Sequence, residues 1–250
     1  MDIRFDGRTG IVTGAGSGIG AATARELAAS GACVIVADRD LDKADAVAAG
    51  IVASGGKAFA AGGDVADPET VRGLVALAVA KGGRLDLMVN NAGIGGAQAP
   101  VGDYPLEGWR EVMSINLDAV FYGMRFAIPQ MLQTGGGAIV NMASILGSVG
   151  FANSSAYATA KHGLLGLTQT AALEYSAKAI RINAVGPAFI DTPLLAVLPP
   201  EARAGLVALH PIGRLGTADE VAHLVTFLLS DKASFITGSY HLIDGGYCAQ

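Results

Sequence analysis

Seven short apolar runs, at 10–13, 33–37, 58–61, 85–90, 138–142, 180–185 and 240–243, recur along the chain with helical stretches between them. A strand that is apolar on nearly every residue is buried on both faces. Alternation of such strands with helices makes each connection a right-handed crossover into a parallel sheet. The expected class is therefore α/β, a doubly wound parallel sheet with helices on both faces. Such sheets bind ligands beyond the carboxyl ends of their strands, where the strand order reverses. At 250 residues, 51% hydrophobic and 16% charged, the chain can bury one large core, so one domain over 1–250 is expected.

The first strand runs into Gly14-Ala15-Gly16-Ser17-Gly18-Ile19-Gly20, and a helix is expected from residue 21 to 30. Four glycines in seven residues at a strand-to-helix turn let the main chain approach a ligand without Cβ collisions, while backbone N–H groups and the helix dipole favour a phosphate. This is a pyrophosphate cradle, spaced Gly-x-x-x-Gly-x-Gly. Asp38 ends the second run about 20 residues later, where a carboxylate accepts from the adenosine ribose hydroxyls and repels a 2′-phosphate. Arg39 beside it could meet that phosphate, but Ser17 adds no second positive charge, so NAD is expected over NADP. Asp64 and Val65, after the third run, could flank adenine. Asn90-Asn91-Ala92-Gly93 closes the fourth run; its asparagines are expected both to contact the cofactor and to tie neighbouring backbone. Residues 1–95 thus read mainly as dinucleotide binding, and 96–250 as catalysis and substrate choice.

In that second part Ser144 follows the fifth run, Asn116 lies in a helical stretch at 106–133, and Tyr157 and Lys161 sit four apart on a predicted helix, hence on one face. Each alone has a bland reading, such as a surface lysine laid along an aromatic ring. Together with the glycine loop and the Asn90 to Gly93 motif, in this order and spacing, the set resembles the short-chain dehydrogenases/reductases of about 250 residues, over essentially the whole chain. That resemblance implies a single Rossmann-type domain with a seven-stranded parallel sheet and a catalytic tetrad of Asn116, Ser144, Tyr157 and Lys161. It also implies that Lys161 holds the nicotinamide ribose and that Asn116 places a relay water.

The residue types suit hydride chemistry at a carbinol or carbonyl carbon. Tyr157 is the expected proton donor or acceptor. A free phenol has a pKa of about 10, so a base at neutral pH needs it lowered, and Lys161 with the oxidised nicotinamide ring is expected to do so. Ser144 is placed to hold the substrate oxygen. After the sixth run the family's usual Pro-Gly is Pro187-Ala188, which raises the expectation of altered backbone there, with Pro187, Ile190 and Thr192 still expected at the cofactor. Segment 193–213, with Leu194, Leu195, Val197, Leu198, Leu206, Val207 and Leu209, reads as an apolar lid. Gln98, Val149 and Phe151 are further candidates for the substrate wall.

A net charge of −5 argues against nucleic acid as a partner. No run reaches transmembrane length, the first residues are charged where a leader is apolar, and Cys33 and Cys248 read as unpaired thiols; a soluble, cytoplasmic protein is expected. No Cys/His cluster has metal-ligand spacing. Long helices at 112–133 and 155–177 are rich in small residues, and since such helices pack across a two-fold axis in the family it resembles, a homotetramer, or at least a dimer, is expected. The leading expectation is an NAD-dependent enzyme interconverting a secondary alcohol and a ketone, the apolar lid suiting a cyclic or aromatic-substituted substrate. Two alternatives are a 3-oxoacyl-carrier-protein reductase, which in this family usually prefers NADPH and needs a basic docking surface, and an idle nucleotide-binding sensor or scaffold.

Overall fold

The computed structural model describes residues 3–196 and 199–249, with only the backbone of Leu194 and Ala196. Val197 and Leu198 of the expected lid lie outside the described residues. In chain order the elements are β1 (Thr9–Thr13), α1 (Gly18–Ala29), β2 (Cys33–Asp38), α2 (Leu41–Ala53), β3 (Lys57–Gly62), α3 (Pro68–Gly82) and β4 (Leu87–Asn90). There follow α4 (Leu106–Met113), α5 (Ala119–Gln133), β5 (Gly137–Met142), α6 (Ser155–Tyr175), β6 (Ile180–Pro187) and β7 (Ile190–Asp191). The last are α7 (Pro193–Ala196), α8 (Pro200–Ala208), β8 (Gly216–Thr217), α9 (Ala218–Leu229) and β9 (Tyr240–Ile243).

Seven strands form one all-parallel sheet in the order β3-β2-β1-β4-β5-β6-β9, and β7 pairs with β8 apart from it. Strand order reverses between β1 and β4, so the crevice falls where the sequence places the glycine loop and the Asn90 to Gly93 motif. Alternate residues face opposite layers. Val12, Val34, Val36, Val89 and Val140 pack with α1, α2 and α9, while Ile11, Ile35, Met88, Ile139 and Ile182 pack with α3, α5 and α6. With both faces covered, β1 and β4 are buried along their whole length and β5 on all but its first residue, as their apolar runs require.

Asp40 and Asp67 accept from first-turn amides of α2 and α3, and Thr217 with Glu220 forms a reciprocal capping box on α9. Helices α1 and α6 instead begin on Ser17 and Ser154, whose hydroxyls cap nothing. Both ends face the crevice.

Two expectations change. The stretch 106–133 is not one helix: a wider π-type turn at Ser114–Asp118 separates α4 from α5. Composition alone does not announce that turn, because each of its residues is compatible with an α-helix. Ala188 carries no strain: positive φ outside glycine occurs, among the described residues, at Asn153 and Ala179, and the Ala188 amide donates to Ile243 O at 3.2 Å. No helix among the described residues is long and apolar enough to cross a membrane.

Candidate active site

The β1–α1 turn is shaped by missing side chains. Gly14 and Gly18 hold φ of +62° and +52°, and a Cβ on Gly20 would fall 2.2 Å from the Gly14 carbonyl oxygen. The turn can therefore be built only with glycine at Gly20 and runs most easily with glycine at the other two. Its helix starts without a side-chain cap and without an acidic residue in the first turn, so the N–H groups of α1 and its positive end are left to an external anion. Asp38 braces the loop: Oδ2 accepts from Gly16 N at 2.8 Å and Oδ1 from Asp40 N at 3.0 Å. Each oxygen keeps a second lone pair for a ligand hydroxyl. Residue types and backbone geometry thus fit a dinucleotide.

The neighbouring strand end is tied to this loop by Thr13. Its Oγ1 accepts from the amides of Asn91 and Ala92 at 3.0 and 3.1 Å, while Asn91 Nδ2 donates to the carbonyls of Thr13 and Gly14. Asn90 reaches the other way, donating to Asn141 Oδ1 at 2.8 Å. The asparagine pair therefore ties backbone and strands, one of the two roles expected of it. Asp64 is exposed beyond the end of β3 and closes its own turn by accepting from Ala66 N, and Val65 lines a small internal void with Met88 and Val120. Neither lines the main cleft.

That cleft, about 350 Å³, lies beyond β4, β5 and β6 and brings together Asn91, Gly93, Ser144, Tyr157, Lys161, Pro187, Ile190 and Thr192, with Ile19 from the glycine loop. Gln98 and Phe151 line it as expected; Val149 does not. Val149 is drawn into the turn after β5, its amide donating to Ile145 O. From the expected lid, Leu195 of α7 reaches the cleft. Ile94, Ile145, Leu146, Ser154 and Phe189 are wall residues that sequence reasoning missed, since short apolar or hydroxyl residues beside a motif carry no signal of their own.

Around the chemistry the contacts are specific. Ser144 is extended, with φ −173°; its Oγ accepts from Leu146 N at 3.2 Å, and its carbonyl accepts from Gly147 N at 2.8 Å and from the Tyr240 hydroxyl at 2.5 Å. Lys161 is 3% exposed, donates to Met142 O at 2.7 Å and lies 5.6 Å from the Tyr157 ring centre. Asn116 sits in the π-type turn, fully buried, exchanging two 2.8 Å bonds with the backbone of Ile94. Burial pushes the Tyr157 phenol above its ordinary value, and the Ser144 hydroxyl pulls it part of the way back. Burial likewise lowers the Lys161 ammonium to about 8. The expectation that Lys161 lowers the phenol is not met by the chain alone, because desolvation dominates and the ammonium is aimed at a carbonyl.

Comparison with known proteins decides the family. The family model described as enoyl-(acyl carrier protein) reductase, adh_short_C2, matches residues 14–248. Cyclohexanol dehydrogenase of Acinetobacter sp. (strain SE19) is 50% identical over 250 residues, covering 100% of this chain and 98% of its own. The chain is a short-chain dehydrogenase/reductase. Another member, cis-4-hydroxycyclohexanecarboxylate dehydrogenase of Sinomonas cyclohexanicum, is 47% identical over 249 residues, with both chains covered fully. The crystal structure of levodione reductase superposes with a TM-score of 0.94 at 39% identity, covering 98% of this chain and 99% of that one. Short-chain dehydrogenases/reductases bind nicotinamide cofactors, and this one is an oxidoreductase of alcohol and ketone groups, whose relatives act on small molecules.

Proposed function

We propose that this enzyme is an NAD(H)-dependent dehydrogenase of cyclic secondary alcohols, working reversibly with the corresponding ketones. The observation that carries the reading is the cleft itself: Ser144, Tyr157 and Lys161 meet at one end of a pocket otherwise walled mainly by Ile94, Ile145, Leu146, Phe151, Phe189 and Leu195. Such a wall favours a compact hydrocarbon ring, at roughly 25 cal/mol per Å² of apolar surface removed from water. Relatives named for cyclohexanol and for a hydroxycyclohexane acid support the same substrate shape.

In the proposed mechanism the nicotinamide supplies the hydride acceptor or donor. The glycine loop from Gly14 through Ser17, Gly18 and Ile19 to Gly20 would hold the pyrophosphate, Asp38 the adenosine ribose, and Asn91, Ala92, Gly93, Pro187, Ile190 and Thr192 the nicotinamide end. Ser144 donates to the substrate oxygen and stabilises negative charge as it develops there. Tyr157 takes the alcohol proton during oxidation and returns it during reduction. Lys161 presents its ammonium beside Tyr157, and Asn116 keeps the turn over Ile94 in shape. The carboxylate of Asp38 supports NAD over NADP, although Lys43, whose Cβ lies 2.8 Å from where a Gly16 Cβ would stand, is a second cation beside Arg39. We further infer a homotetramer, supported by Phe121 and Leu132 on α5 and Leu173 on α6, which are apolar and exposed.

The direct test follows NADH absorbance with cyclohexanol against open-chain secondary alcohols of equal carbon number. Higher kcat/KM for the ring is expected. Equal or better use of the open chain would overturn the cyclic assignment.

A further inference from the structure

The cleft holds two polar side chains that the mechanism leaves unused. Gln98 and Ser154 both line it, with Gln98 Nε2 donating to Ser154 Oγ at 3.3 Å. Ser154 is the residue before α6, where serine ordinarily accepts from an amide of the first turn, yet its hydroxyl makes no such bond. It is 4% exposed, so the hydroxyl has been drawn off the helix end into the cleft. The placement is fixed by backbone: a parallel bridge joins Ala99 to Ser154, the Ala99 amide donates to Asn153 O at 3.0 Å, and Asn153 turns through a left-handed φ of 66°.

Other polar groups around the cleft have work already. Asn91 ties Thr13 and Gly14, Lys161 donates to Met142, and Ser144 and Tyr157 face the reacting oxygen. In the Gln98–Ser154 pair one donor meets one acceptor, leaving the Ser154 hydroxyl proton, the second Gln98 amide proton and the Gln98 amide oxygen without another partner among the described residues. Spare donors and a spare acceptor together match a hydroxyl, and the donors alone match a carbonyl. Charge narrows the choice further. Among the described residues Lys161 is the one cation lining the cleft, and it stands at the catalytic end, so a carboxylate beside Gln98 and Ser154 would be buried without a counter-charge. Ser154 stands one residue outside the start of α6, and Tyr157 lies in the first turn of that helix; both line the same cleft, so a ring held at Tyr157 by one oxygen can present its far side to the Gln98–Ser154 pair.

We propose that Gln98 and Ser154 form a subsite for a second, uncharged oxygen, so that the preferred substrates are six-membered rings carrying a hydroxyl or keto group across from the carbon being oxidised or reduced. The inference rests on the cyclic-alcohol reading above. Its test compares kcat/KM for cyclohexane-1,4-diol, cyclohexanol and 4-hydroxycyclohexanecarboxylate in the wild type, Gln98→Leu and Ser154→Ala. The wild type is expected to favour the diol over cyclohexanol at least tenfold, chiefly through KM, and to gain nothing from the carboxylate. Each substitution should lower the diol-to-cyclohexanol ratio at least fivefold. General damage to the pocket would depress both rates and leave that ratio alone. An unchanged ratio in both variants, or a preference for the carboxylate over the diol, overturns the subsite while the cyclic-alcohol reading stands. Failure of the wild type to oxidise any of the three rings overturns both.

Discussion

On the β1–β3 side of the sheet's carboxyl edge the proposed binding surface is made by leaving atoms out: glycines clear the way and leave main-chain amides open to a ligand. On the β5–β6 side it is made by putting side chains in, each held by a neighbour with no part in the reaction. Gly20 has no room for a methyl group, whereas Ser144 is pinned at its hydroxyl by Leu146, at its carbonyl by Gly147 and by Tyr240 from the last strand. The first kind of site is built from one turn, braced from neighbouring strand ends by Asp38 and Asn91. The second is assembled from residues almost a hundred positions apart, so a change far away in sequence can disturb it without touching substrate.

The comparison is broken most severely at Tyr157. If the β5–β6 side works through placed side chains, Tyr157→Phe should lower kcat at least a hundredfold while NADH still binds, read by steady-state kinetics and nucleotide fluorescence. Turnover close to wild type would remove Tyr157 from the chemistry. The same group fixes a pH trend. Burial raises its pKa, so the phenolate that oxidation needs appears only on the alkaline side, while reduction uses the phenol that prevails below it. Oxidation is expected to have the more alkaline optimum, and coincident profiles would count against it.

Next in size is the test of the amide-lined side, where one carboxylate is the exception. Wild-type kcat/KM should favour NAD over NADP at least tenfold, because a nearly doubly charged phosphate meets the Asp38 carboxylate. Asp38→Ser should narrow that ratio by removing the repelling carboxylate, with Arg39 then able to meet the phosphate, while Lys43 stays paired with Asp40. A wild-type preference for NADP would reduce Asp38 to a brace for Gly16.

The smallest effect concerns stability. Lys161 has its pKa depressed to about 8 from 10.5, so between these values the unfolded chain binds more protons than the folded one, and stability rises with pH through that window. Below pH 8 the folded protein carries the full cost of a buried ammonium. Lys161→Met should therefore raise the Tm of the cofactor-free protein at pH 7 by a few degrees, corresponding to about 1–2 kcal/mol, while abolishing activity. A drop in Tm would mean that the bond to Met142 outweighs the desolvation.

Legibility in the sequence follows the same division. The sheet is readable because burial on both faces leaves apolar runs, and each run lies within two residues of its strand. The glycine turn is readable because only one residue type can make it. Tyr157 and Lys161 are readable from their spacing. Thr13, Ser154 and Tyr240 are not, because a hydroxyl becomes informative only once folding shows whose carbonyl or amide it meets. Val149 fails for the complementary reason: its neighbourhood in sequence suggested the wall, but the turn after β5 takes it elsewhere.

The π-type turn at Ser114–Asp118 can also be described as a phase offset. Adding one residue to a helix advances every later side chain by about 100°, since 3.6 residues complete a turn. The offset lets Asn116 point at Ile94 while Gly123, Met124 and Ala127 still meet the sheet seven and more positions later. A turn of this kind takes up one residue more than an α-turn, so removing one residue there would return the segment to ordinary helix and leave Gly123 facing the Asn90 side chain, while the turn that aims Asn116 at Ile94 would be lost. The extra residue therefore serves the placement of Asn116 and not the packing of α5.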